Sequence, residues 1–264
     1  MTTHRLNYRE AGPTDSPNAL VLVHGFPFSA AMWRPQLDSP PAGWRVIAPD
    51  LPGFGESAPV DGDMLSMDAA ADAVAELIRG LGLDRVVLGG LSMGGYVCFA
   101  FMRRHPQLVR GLILADTRPG ADGEQVRRGR LQSAAKISQG GTGELVEGML
   151  PKLLSPLTLK RQPEVEAEVR SIMEAASPAG VIAALHGMAA RPDSTPELRS
   201  VTVPTLIVVG MDDVITPPGE AQLMSRGIPG SRIEPIVDAG HLPNLEQPAE
   251  FNRLLNGFLA SVSV

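Results

Sequence analysis

The sequence predicts an α/β protein built on one mostly parallel sheet, and three observations carry that expectation. Short apolar runs at residues 19–23, 111–115 and 205–209 lack the polar alternation of a half-exposed strand, as strands covered on both faces do. Stretches of helical periodicity stand between such runs, the alternation that places helices on the faces of a parallel sheet. Each run also ends in Gly, Pro, Asp or His, so the polar chemistry collects at the carboxyl edge of the sheet.

Taken in order, Leu6-Asn7-Tyr8-Arg9-Glu10 alternates and meets Ala11-Gly12-Pro13, the pattern of a short edge strand and a turn. The strand at 19–23 ends in His24-Gly25-Phe26-Pro27. Gly25 lets the backbone approach the sheet edge, the Phe26 N–H is a candidate oxyanion donor, and the Phe26 ring is a candidate pocket wall. His24 reads as a loop hydrogen-bonding group, and Pro27 stands in the kind of tight turn where cis-proline occurs. Residues 45–48 form the next strand, closed by Pro49-Asp50-Leu51-Pro52-Gly53-Phe54-Gly55-Glu56-Ser57. So many turn formers specify an ordered loop, with Asp50 orienting it. Ala70, Val74, Leu77, Ile78 and Leu81 mark a helix over 68–81, with Ser66 or Asp68 as its N-cap.

Val86-Val87-Leu88 enters Gly90-Leu91-Ser92-Met93-Gly94, and an apolar helix follows over 96–102 until His105-Pro106 stops it. Strand, G-x-S-x-G and helix make a nucleophile elbow. A serine lifted on so tight a turn takes strained angles, and side chains at 90 and 94 would strike the strand and helix around it, which glycine avoids. The turn aims the Met93 N–H at the helix start, where an oxyanion beside the Ser92 hydroxyl meets unpaired donors. A phosphate loop fits poorly, because Gly95 and Tyr96 stand where Lys and Ser/Thr are required.

The run at 111–115 delivers Asp116 to the same edge. From 118 to 198 the βα rhythm stops, and helical patterns at 126–137, 145–154 and 165–175 take over, cut by Gly140-Gly141-Thr142-Gly143, Pro151, Pro156, Pro163 and Pro178. That length far exceeds an ordinary connection, so a helical cap is expected over 118–198, with 1–117 and 199–264 forming the core. The sheet resumes at 205–209, passes into Gly210-Met211-Asp212-Asp213-Val214-Ile215-Thr216-Pro217-Pro218, and closes with a strand at 233–237 before Asp238-Ala239-Gly240-His241. A terminal helix starts at Pro248 and carries an apolar stripe of Phe251, Leu254, Leu255 and Phe258.

At 264 residues and 44% hydrophobic composition, the chain is long enough for one large core with an insertion. A net charge of -6 with scattered Lys and Arg argues against nucleic acid or an anionic membrane as partner. Cys98 is the one cysteine and reads as packing. Neither C-x-x-C nor H-E-x-x-H occurs, so no metal or cofactor is expected. With no signal-length or spanning apolar run, the expected location is the cytoplasm, as a monomer or homodimer.

Ser92, Asp213 and His241 each follow a predicted strand, so residues far apart in sequence converge on one edge in the chain order Ser, Asp, His. In that arrangement His241 takes the serine proton and returns it to the leaving group, while Asp213 holds the imidazole tautomer and stabilises the imidazolium. Asp212 and Asp116 are rival acids. Asp213 is preferred because Thr216-Pro217-Pro218 fixes the loop just beyond it.

With these motifs in view, the chain resembles the α/β-hydrolase superfamily, in its serine carboxylesterase and 3-oxoadipate enol-lactonase-like group. The resemblance rests on His24-Gly25-Phe26-Pro27, Asp50-x-Pro52-Gly53-Phe54-Gly55-x-Ser57, Gly90-Leu91-Ser92-Met93-Gly94-Gly95, Gly210-x-x-Asp213 and Gly240-His241-Leu242-x-Asn244-Leu245-Glu246-Gln247-Pro248. It implies an oxyanion hole from the Phe26 and Met93 amides, a helical lid near 118–198, and a sheet of about seven or eight strands. The short N-terminus points to seven, with the family's first antiparallel strand missing.

Serine at 92, where related dehalogenases and epoxide hydrolases resemble this chain with an aspartate, selects acyl chemistry. Hydrolysis of small to medium carboxylic esters through an acyl-enzyme leads. An enol-lactonase for an acidic substrate would need a cation from Arg118, Arg127, Arg128, Arg130 or Arg191, and a carbon-carbon bond hydrolase also fits the triad. His186 and Met188 read as packing. A ligand-binding sensor on the same scaffold is the alternative of a different class.

Overall fold

The apolar runs become strands whose alternate residues face opposite ways, so each strand feeds two cores at once. A computed structural model of the chain describes residues 6–262. Its strands are β1 Tyr8–Ala11, β2 Ala19–Val23, β3 Arg45–Pro49, β4 Val86–Leu91, β5 Val109–Ala115, β6 Thr205–Gly210 and β7 Arg232–Ile236. They form one sheet in the order β1-β3-β2-β4-β5-β6-β7, parallel except that β1 pairs antiparallel with β3. The sheet has the seven strands expected, but it opens on an antiparallel strand, which corrects the expectation that such a strand is missing. Residues 1–5 lie outside the described residues.

The helices are α1 Arg34–Asp38, α2 Met67–Gly80, α3 Met93–Arg104, α4 Glu124–Gly140, α5 Gly143–Leu153, α6 Pro156–Arg161, α7 Pro163–Glu174, α8 Pro178–Ala190, α9 Pro218–Gly227, α10 Pro243–Glu246 and α11 Pro248–Ser261. Val21, Val23, Ile47, Leu88, Leu112, Leu114 and Ile207 pack on one face of the sheet with Val74 and Ile78 of α2 and Val97 and Phe101 of α3. Leu20, Leu22, Val46, Val87, Ile113 and Leu206 pack on the other with Trp33 and the α11 stripe Phe251, Leu254, Leu255 and Phe258. Each such side chain contributes about 1.5–3 kcal/mol by leaving water, which is why the central strands, unlike the edge strands β1 and β7, tolerate no polar alternation.

One boundary left open is resolved and another differs from expectation, each for a local reason. Ser66, not Asp68, caps α2: its hydroxyl accepts the Ala69 N–H at 3.0 Å, while Asp68 sits in the first turn and pairs with Arg103 at 2.8 Å. The helix after the elbow starts at Met93, so Gly94 and Gly95 are inside it despite their low helix propensity, held there by close packing.

Helices α4 to α8 lie between β5 and β6 in sequence and over the loops at the strands' carboxyl ends in space. The Leu65 N–H donates to Ala183 O at 2.9 Å, and the Ser177 hydroxyl donates to Gly53 O at 3.0 Å. His186 Nδ1 donates to Asp63 O at 2.8 Å, and Met188 is buried, so both make packing contacts. A buried ion cluster pins the start and end of this insert together. Asp122 receives Arg130 Nε at 2.5 Å and Arg191 Nη1 at 2.8 Å, and the Arg191 guanidinium stacks 4.0 Å above the Tyr96 ring. Among the described residues no single helix is long and apolar enough to cross a membrane.

Candidate active site

Ser92 stands between β4 and α3 at φ 55°, ψ -114°, a conformation that costs a non-glycine residue of order 1–3 kcal/mol. The strain is sustained because the flanking backbone cannot back away. A Cβ at Gly90 would lie 2.3 Å from Gly94 C, and one at Gly94 would lie 2.2 Å from Val23 O. Two bonds fix the elbow to β5: the Ser92 N–H donates to Ala115 O at 3.0 Å, and the Thr117 hydroxyl donates to Ser92 O at 2.7 Å. Among the described residues the Ser92 hydroxyl forms no hydrogen bond, and the residue is only partly buried.

The loop after β2 lies against it. A Cβ on Gly25 would sit 3.4 Å from Ser92 Cβ. The Gly25 carbonyl accepts His24 Nδ1–H at 2.8 Å and the Phe28 N–H at 3.0 Å. Since the C=O and N–H of a trans peptide point in opposite directions, those bonds turn the Phe26 N–H the other way. Neither the Phe26 nor the Met93 amide donates to another described residue. Two unpaired donors thus flank the serine, as an oxyanion hole requires. Phe26 itself is nearly buried and Met93 fully so, and the Phe26-Pro27 bond is cis.

His24 keeps the structural role expected of it. Its Nε2 accepts the Leu51 N–H at 3.0 Å, which leaves the proton on Nδ1 for Gly25. Burial pushes its pKa down and keeps the ring neutral, against the Gly25 bond and the nearby Asp50 charge. Asp50 orients its loop, accepting the Ala30 N–H at 2.7 Å and the Glu56 N–H at 3.0 Å.

The second half of the site follows β6 and β7. Asp213 Oδ2 accepts His241 Nδ1–H at 2.8 Å and the Thr216 hydroxyl at 2.6 Å, while Oδ1 accepts the Ile215 and Thr216 N–H groups at 2.7 and 3.0 Å. Burial alone would raise this carboxyl, but the His241 ring and the Thr216 donors outweigh it and hold Asp213 well below the usual carboxylate range. With Nδ1 donating, Nε2 of His241 is left as the basic nitrogen. Asp212 is exposed, whereas Asp213 is buried.

Asp116 is the unexpected neighbour. Its Oδ1 accepts the Gly210 N–H at 2.8 Å, and its Oδ2 is buried without a partner. Facing atoms of Asp116, Asp213 and His241 lie within 4.8 Å of one another. Burial, then the Asp213 charge, pushes the Asp116 carboxyl far up, so it carries the proton while Asp213, with four donors, carries the charge. This trio is a grouping close enough to hold a metal, but the facing atoms of Asp213 and His241 are occupied by each other. Asp116 also bridges the halves of the site, because it directly follows Ala115, whose carbonyl holds Ser92.

Of the arginines considered for an anionic substrate, Arg130 and Arg191 are committed to Asp122, Arg128 pairs with Glu124, and Arg127 is exposed. Arg118 lies 3.7 Å from Asp122. Cys98 is buried and burial pushes its thiol pKa up, so it is packing. His105 caps α3 and pairs with Asp72 at 2.7 Å. Sequence reasoning assigned nothing to the buried carboxyls Asp122 and Glu246. Glu246 stood in the motif Gly240-His241-Leu242-x-Asn244-Leu245-Glu246-Gln247-Pro248 without a role assigned to it.

Comparison with known proteins adds to this geometry. A family model for the alpha/beta hydrolase fold matches residues 18–248. The chain is 30% identical over 261 residues to a pimeloyl-acyl-carrier-protein methyl ester esterase of Neisseria meningitidis serogroup C, covering 94% of this chain and 96% of that protein. Among solved structures it is similar to a malate-bound thermophilic esterase from Thermogutta terrifontis, with TM-score 0.92, 41% identity and coverage of 98% and 94%. It is also similar to the enol-lactonase of Burkholderia xenovorans LB400, with TM-score 0.89, 26% identity and coverage of 97% and 96%.

Proposed function

Because the chain belongs to the α/β-hydrolase fold family, we propose that it is a serine hydrolase that cleaves small to medium carboxylic esters through an acyl-enzyme. The observation that carries the reading is the 2.8 Å bond from His241 Nδ1 to Asp213 at the same sheet edge as a strained, unbonded Ser92. Esterase relatives agree with it.

In this reading Ser92 Oγ attacks the ester carbonyl as His241 Nε2 takes its proton, and Asp213 stabilises the imidazolium that forms. Negative charge on the former carbonyl oxygen is met by the Phe26 and Met93 N–H groups, each worth about 3 kcal/mol of barrier if such donors behave as elsewhere. The tetrahedral intermediate collapses, the His241 proton goes to the leaving alkoxide, and an ester now links Ser92 to the acyl group. Water, deprotonated by His241, repeats the sequence and releases the acid. In this reading the Ser92 hydroxyl, unbonded in the free protein, meets His241 Nε2 once substrate is bound, since such catalytic bonds often tighten only then.

Helices α4 to α8 act as a lid over this edge. Neutral esters are favoured over dicarboxylic lactones because Arg130 and Arg191 are held by Asp122 and Arg128 by Glu124, which leaves Arg118 and the exposed Arg127 for an anionic substrate to draw on. Rates on a p-nitrophenyl ester series beside a dicarboxylic enol-lactone test this, and a strong preference for the anionic lactone defeats it. Fluorophosphonate labelling of Ser92 is expected in the wild type and lost in Ser92→Ala and His241→Ala. An unlabelled wild type points instead to a ligand-binding protein.

A further inference from the structure

Glu246 ends α10, five residues past His241, and is 1% exposed. Its Oε1 accepts the Gly240 N–H at 2.8 Å and the Leu242 N–H at 3.2 Å, the two amides that bracket His241. Its Oε2 accepts the Ser155 N–H at 2.7 Å, and Ser155 is the N-cap of α6 in the helical insert. Two more bonds join the same segments. The His241 N–H donates to Leu153 O at 2.8 Å, and the Ser155 hydroxyl donates to Asp238 O at 3.2 Å. The two backbones are so close that a Cβ on Gly240 would lie 2.7 Å from Ser155 N.

A residue that only filled this space would be apolar, because burying a carboxyl is unfavourable without dedicated donors. Burial does push the Glu246 carboxyl pKa up, and the donors from Ser155, Thr158, Gly240 and Leu242 oppose it. Its two oxygens face two different segments, one the loop that bears the imidazole and the other the insert. An imidazole that must bond Asp213 and reach Ser92 tolerates displacement of well under about 1 Å.

We propose that Glu246 is a positioning residue that sets His241 by tying its loop to residues 153–155, so that placement of the base depends on how the insert is seated. The chemical consequence rests on the serine-hydrolase reading, whereas the mechanical tie does not.

Glu246→Gln tests it, because glutamine keeps the shape but turns one acceptor oxygen into an NH2 that faces an N–H donor on either side. Active sites are first titrated with a fluorophosphonate, and p-nitrophenyl ester kinetics are then expressed per titrated site. We expect kcat to fall about tenfold with KM within about twofold, in line with sub-ångström misplacement of a catalytic group. Hydrogen exchange should accelerate at residues 153–158 and 239–243 together. If kcat per titrated site is unchanged and only the titratable fraction drops, Glu246 is merely structural and the proposal is overturned. Faster exchange in one segment alone overturns the tie. A wild type that takes no label sinks the serine-hydrolase reading instead, and exchange still decides the tie. Should E246Q not fold, E246D keeps the charge, shortens the reach by one methylene, and is read in the same way.

Discussion

Asp213→Asn separates chemistry from folding, because every hydrogen bond at the position can be remade. The two backbone donors at 2.7 and 3.0 Å keep the amide oxygen on the Oδ1 side, since an NH2 there would face N–H groups. The amide nitrogen then takes the Oδ2 position, 2.8 Å from His241 Nδ1 and 2.6 Å from the Thr216 hydroxyl. Thr216 can reverse and accept. His241 can accept too, but only by moving its proton to Nε2, the nitrogen that must receive the serine proton. The structure survives with the wrong tautomer. A loss of about 10⁴ in kcat, equivalent to about 5 kcal/mol of barrier, is expected from that exchange. The assay is p-nitrophenyl ester hydrolysis near neutral pH beside far-ultraviolet circular dichroism. An Asn variant within tenfold of wild type would refute the assignment and move the acid to Asp116. Stability supplies a second reading. The folded pKa of Asp213 is depressed, so its contribution is present above the unfolded value of about 3.9 and lost as pH falls through the folded one. The stability gap between wild type and variant should therefore close on acidification.

Asp116→Asn should stabilise the protein near neutral pH. The raised folded pKa means the native state holds the extra proton, and stability from this group falls as pH rises above about 3.9. Urea midpoints that rise equally at acid and neutral pH would count against it. Gly94→Ala puts a methyl 2.2 Å from Val23 O, between two backbones that cannot yield, and should cost about 3 kcal/mol or more. A thermal midpoint within a degree or two of wild type would be incompatible with that packing. Arg191→Met leaves the buried Asp122 carboxylate with Arg130 at 2.5 Å and the more distant Arg118 at 3.7 Å, and removes the cation over Tyr96. A loss of about 3 kcal/mol is expected, read by calorimetry, and an unchanged melting curve would deny the cluster its anchoring role.

Much of this was legible in one dimension because the signals are local. A strand buried on both faces must be apolar throughout, so 19–23, 111–115 and 205–209 declared themselves. A serine on a turn this tight needs glycines at 90 and 94, so the elbow did too. The choice of Asp213 over Asp212 also followed from the turn, since Thr216 lies three residues on and its donors meet the carboxylate. The cap of α2 was ambiguous because Ser66 and Asp68 are equally good candidates in isolation; Asp68 is instead engaged by Arg103, thirty-five residues away, and by its neighbour Arg104.

The order and identity of the chemical groups, and the sheet edge they occupy, were thus determined by the sequence alone, through periodicity and steric need. Tertiary structure decided which buried carboxyl carries charge and which carries a proton. It also decided that Arg130 and Arg191 answer to Asp122, and that Glu246 joins the His241 loop to the insert. Those outcomes depend on distances between segments up to about a hundred residues apart, and a charge in a protein interior takes its state from whatever donors and charges folding brings beside it.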